Sequence, residues 1–141
     1  MIYVFLVLIC FISFYIYNRF FKDGLFLDGA GYYSKKDYFE ALKKLQKFLD
    51  SKSYDEKWSA KNYNIIKARW LIALSYMELA KENKFDNGNR ISFKESSLRE
   101  FSNILKIDSL QSNVHEYTSE MIEEEKDESV RNSLRSIIKS N

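Results

Sequence analysis

Between Asp37 and Asp50, the apolar residues Tyr38, Ala41, Leu42, Leu45, Phe48 and Leu49 recur at offsets of three, four and seven. That spacing returns to one side of a 3.6-residue helix and does not fit the two-residue alternation of a strand. Lys43, Lys44 and Lys47 fall on the other side, as the wet face of an amphipathic helix. The same period continues down the chain. Residues 56–84 are expected as one long helix with two apolar stripes. One stripe is Tyr63, Ile66, Trp70, Ala73, Met77 and Ala80; the other is Ile65, Ile72, Tyr76 and Leu79. An ordinary surface helix carries one stripe, so this helix is expected to pack on two sides.

Residues 93–107 repeat the pattern with Phe93, Leu98, Phe101, Ile104, Leu105 and Ile107. Two shorter stripes follow. Leu110, Val114, Tyr117 and Met121 form the first; Val130, Leu134, Ile137 and Ile138 form the second, beyond the acidic run 123–129. Asp86-Asn87-Gly88-Asn89 reads as a turn inside a loop over 82–92. Ser53 or Asp55 is a capping candidate, and Asp108-Ser109 a break. Proline is absent and glycine occurs four times, too few turn residues for a β-rich fold. With 45% hydrophobic and 30% charged residues in 141, one all-α domain with a packed core is expected.

The stretch "MIYVFLVLICFISFYIYN" has no charged side chain. Extended through Phe21, it is about long enough to cross a hydrocarbon core roughly 30 Å thick. Residues 1–21 are therefore expected to be an uncleaved single-pass anchor, with Arg19 and Lys22 at the headgroup boundary. A signal peptide would have a basic start and a small-residue exit, both missing here. A lipid-modified Cys10 would follow a small residue, and Ile9 precedes it. Arg19 and Lys22 account for the formal charge of +2 and leave the rest neutral, which argues against nucleic-acid binding. By the positive-inside rule they also favour a cytoplasmic domain.

Cys10 is the only cysteine, so one chain can hold neither a disulfide nor a cysteine-based zinc site. His115 is the only histidine, and Glu120 does not share its helical face well. No Gly-rich phosphate loop or nucleophile motif occurs. The expectation is a protein that is not an enzyme, with no cofactor, no metal and no small-molecule substrate.

One stretch carries more than periodicity. In "GAGYYSKKDYFEALKKLQKFL", Gly29 precedes Tyr32 by three, Asp37-Tyr38 follows, and then come Ala41, Leu45 and Phe48. This resembles the tetratricopeptide repeat (TPR), a helix–turn–helix unit of about 34 residues. Ala73 and Tyr76, then Ser97, Phe101 and Ile104, resemble a second copy. It starts 44 residues after the first and has a longer gap between its helices.

The resemblance implies TPR-like antiparallel helical hairpins over 22–109, about two repeats. Residues 110–141 would add a C-terminal helical pair or cap. In that family the first helix of each pair lines a concave, protein-binding face. The resemblance therefore places Phe26, Tyr33, Lys67, Trp70, Leu74 and Met77 on such a face. It implies a membrane-anchored scaffold or adaptor in an envelope assembly, similar to the small TPR proteins of the periplasmic flagellar collar. On that likeness the domain leans to the periplasmic side of a bacterial inner membrane, with other proteins as partners. The alternative is an anchored receptor that binds client peptides in the groove.

Overall fold

The computed structural model describes residues 2–52, 63–107 and 112–139, with the side chains of 2–6, 17–23, 63 and 112 outside that set. Among the described residues the chain is all helical. The helices are α1 (Ile2–Ser34), α2 (Tyr38–Lys52), α3 (Tyr63–Lys81), α4 (Asn87–Ile107), α5 (Ser112–Glu123) and α6 (Glu128–Lys139). The expected start of the long helix at 56, the caps at Ser53 or Asp55, and the break at Asp108-Ser109 lie outside the described residues.

Short turns with side-chain caps set the helix ends. After α1, the amide of Asp37 donates to the Tyr32 carbonyl at 3.0 Å and that of Lys36 to the Tyr33 carbonyl at 2.9 Å. This pair of bonds closes a Schellman turn, and it holds Lys36 at φ 62°, a left-handed position usually given to glycine. Asp37 then caps α2, its Oδ1 accepting from the Glu40 amide at 3.3 Å. Asp127 caps α6 in the same manner through the amides of Ser129 and Val130.

Asp86 corrects the sequence reading. Its Oδ1 accepts from the Asn89 amide at 2.8 Å, so Asp86 is an N-cap and α4 starts at Asn87. The expected loop over 82–92 shrinks to residues 82–86, and Gly88 lies in the first turn of a helix. Asp and Asn serve helix starts as well as free turns, and the cap wins here.

The first two pairs are antiparallel. Phe26 meets Phe48 across α1–α2, while Tyr33 meets Tyr38 nearer the turn. Arg69 meets Glu100 across α3–α4, and Ser97 reaches Ala73. In α5–α6, Glu123 and Arg135 pair near the connecting turn. α3 packs against α1 and α2 on one side and α4 on the other. Its two stripes divide accordingly. Ile65, Ala68 and Ile72 enter one core with Leu25, Phe26, Ala41, Leu45 and Phe48. Ala73 enters a second core with Leu98, Phe101, Ile104, Val114 and Leu134, against which Trp70, Leu74 and Met77 pack. Burying each large side chain removes enough apolar surface to contribute about 1.5–3 kcal/mol before ordering costs.

The expected membrane anchor is corrected. Among the described residues, no helix is long and apolar enough to cross a membrane. The flanking side chains of the expected span lie outside the described residues. α1 itself continues past the expected boundary at 21 to Ser34. A single-pass membrane localisation is thus not retained.

Candidate functional site

The small residues at the joints decide which side chains stay available. A Cβ on Gly29 would lie 2.6 Å from Leu45 Cγ and 2.7 Å from its Cδ2, so α1 and α2 approach closely only because Gly29 has none. At the equivalent joint, Ser97 Oγ donates to the Ala73 carbonyl at 2.8 Å. Ala41, Leu45 and Phe48 in the first pair and Ser97, Phe101 and Ile104 in the second are all fully buried. With the joint filled from the second helix, part of α1 and α3 is left facing outward.

Trp70, Leu74 and Met77 occupy this side of α3 and are half-buried. The Trp70 ring meets Phe101 edge-on at 5.3 Å and Tyr117 at 5.9 Å. Phe101 and Tyr117 stack at 6.1 Å. Trp70 is therefore wedged upright by a core residue of α4 and an aromatic of α5, a geometry favoured by ring quadrupoles. Tyr33, from the last turn of α1, is half-buried with its ring 5.7 Å from Tyr38. Burial pushes the Tyr33 hydroxyl up from its ordinary value, and the charges of Glu78, Tyr38 and Tyr117 add to it. Tyr38 is raised as well, by desolvation and by Glu78 and Glu82, with Lys81 opposing. Side chains of α3 and α5 thus meet through Trp70 and Tyr117, with Tyr33 of α1 near enough to feel the charges of Glu78 and Tyr117.

Of the other two residues expected there, Lys67 is exposed, whereas Phe26 is buried and its ring lies 5.5 Å from Phe48. Phe26 belongs to the first core. Tyr117, read in the sequence only as part of an apolar stripe, and Glu78 were not among the residues expected on this surface. Tyr117 stands three residues after Val114, the spacing that marks Tyr76 after Ala73, and that signal could have found it.

A separate polar hollow of about 410 Å³ lies between the start of α4 and the α5–α6 turn. Lys94, nearly buried, pairs with Glu125 at 3.3 Å, and Arg90 Nε donates to the Ala80 carbonyl at 2.9 Å. Arg131 donates twice to the Glu125 carbonyl. Of these, Lys94–Glu125 ties the last pair to the second, while the Arg90 bond lies within the second pair and the Arg131 bonds within the last. His115 is exposed, as are Glu116 and Glu120. Among the described residues, no group of three or more His, Cys, Asp or Glu is placed to hold a metal ion. No family model, no curated protein and no solved structure matches the chain.

Proposed function

We propose that this chain is a non-enzymatic scaffold of TPR-like build, which docks other proteins on the surface shared by α1, α3 and α5. The observation that carries the reading is a division of labour among the apolar residues. The joint residues at matching positions of the two pairs are fully buried, while Tyr33, Trp70, Leu74 and Met77 on the first helices keep part of their surface in water. Aromatic and methionine side chains held by a rigid frame suit an amphipathic or extended protein segment. An envelope or flagellar setting rested on the membrane anchor and is not carried forward.

Crosslinking and pull-down with the full-length protein, wild type against Met77→Lys, tests the reading. A small stoichiometric partner set that Met77→Lys releases supports it, provided circular dichroism shows an unchanged helical fold. A spread of substoichiometric clients would favour a peptide receptor instead. Partners retained in full by Met77→Lys and by a second variant, Leu74→Glu, would remove this surface from the function.

A further inference from the structure

Placing Ala73 on Gly29 aligns α3 with α1 at an offset of 44 residues. In α3, Ala68 and Ile72 are buried in the first core, and Leu71 packs on it. They form the side by which α3 stacks onto the preceding pair. The residues of α1 at the same positions are Gly24, Asp28 and Leu27. Leu27 is 67% exposed. Gly31, which aligns with the buried Ser75, is exposed, and a Cβ on Gly24 or Gly31 would meet nothing within 4 Å. A hollow of about 230 Å³ runs along this side, lined by Leu27, Asp28, Gly31, Tyr32 and Lys35. In this register α1 carries a stacking side on which, among the described residues, no helix pair sits.

The opposite end of the chain has a matching seat. α3 rests on both helices of the pair before it. By the same rule, a helix following α6 would rest on α5 and α6. A hollow of about 370 Å³ opens between those helices, with Ile122 and Ile138 as its apolar part and Glu123, Arg135 and Lys139 as its charges. Glu123 is held by Arg135 at 2.7 Å, which leaves Lys139 as the cation nearest the end of α6. Charge complementarity selects the occupant. Where α3 has Ile72, α1 presents the exposed Asp28, which a cation opposite would pair if the face were covered. Just past the end of α1 the same side carries the exposed Lys35, which an acid opposite would pair. The α5–α6 hollow offers Lys139 to Asp28, and Glu123, 62% exposed beside Arg135, is its one carboxylate for Lys35.

We propose that the two ends bind each other between copies, the Leu27–Gly31 side of α1 seating in the α5–α6 hollow of a second copy, head to tail. The inference rests on the repeat-stack reading but not on the Tyr33–Trp70 surface. A head-to-tail contact leaves one free face at each end, so the copies add into rings or open rows.

The test is sedimentation velocity of the full-length protein over a concentration series. Wild type is expected to form species that grow with concentration. Leu27→Glu or Gly31→Arg blocks one end, and Ser119→Arg, at an exposed position lining the hollow, blocks the other. Each is expected to weaken association at least about tenfold. An equimolar mixture of Leu27→Glu and Ser119→Arg retains one good face on each chain and is expected to stop at a dimer. A wild type that stays monomeric throughout overturns the proposal. So does assembly that ignores these variants, as association through α1 residues 7–16 would. A mixture no larger than its separate parts overturns it too.

Discussion

The first two helix pairs close the same joint with different atoms. In α1–α2, Gly29 gives way completely and Leu45 fills the space. In α3–α4, Ala73 keeps its methyl, Phe101 stands where Leu45 would, and Ser97 adds a hydrogen bond in place of Ala41. Arg69 and Glu100 pair at 3.0 Å across the second joint, at positions where the first pair has Leu25 and Lys44. The register of small and large residues is shared, while the chemistry that fills it is not. The second pair also has neighbours on two sides, and its joint draws on Tyr117 from outside the pair, whose ring meets Trp70 and stacks on Phe101.

That difference gives four predictions. Phe101→Ala is expected to cost about 3–5 kcal/mol, because it opens a cavity against α3, α4 and α5 together. Leu45→Ala should cost about 2–5 kcal/mol and fall below Phe101→Ala, since its cavity is smaller. Urea denaturation compares them, and equal losses would break the claim that the second joint is the more embedded.

Gly29→Ala pits a gain in helix propensity of about 1 kcal/mol against a clash with Leu45 that costs about 1–3 kcal/mol. The expected net is destabilising. Adding Leu45→Ala removes the clashing atoms, so the two losses should be strongly non-additive in a double-mutant cycle. Simple additivity would show that Leu45 moves aside freely. At the other joint, Ser97→Ala should cost about 0.5–1.5 kcal/mol for its buried hydrogen bond and make that joint resemble the first. Thermal melts read a loss of this size.

The smallest effect is alkaline. Tyr33 on α1 and Tyr76 on α3 are both raised above the ordinary value of 10.0, chiefly by burial. A raised folded pKa means that the unfolded chain releases its proton first. The stability from these two groups is whole below 10.0 and is lost as pH rises through their higher folded values. Tyr33→Phe and Tyr76→Phe should each flatten the alkaline fall in melting temperature. An unchanged profile in both would count against the burial of these hydroxyls.

Much of the fold was legible in the residues themselves. Of the two stripes of residues 63–81, Ile65, Ile72 and Tyr76 sort onto one core and Trp70, Ala73 and Met77 onto the other, and the joint positions Ala41, Leu45, Phe48, Ser97, Phe101 and Ile104 are all fully buried. Gly88 misled, because Asp-Asn-Gly-Asn suits a free turn and a capped helix start alike until the Asp86 oxygen is seen to bond the Asn89 amide. Phe39 gave no signal, yet its exposed ring contacts Phe85 and Phe93 and links α2 to the α3–α4 turn.

The sequence by itself determined the helices, their amphipathic sides and the register of the joints. Each of these follows from spacing within a few turns, where the 3.6-residue period acts directly. Tertiary structure decided that Phe26 is core and that Trp70 meets Tyr117 across α3 and α5. It also decided that, among the described residues, Leu27 stays exposed beside a hollow along α1. These depend on how one helix pair lies on the next, and packing between segments far apart in the chain sets that angle.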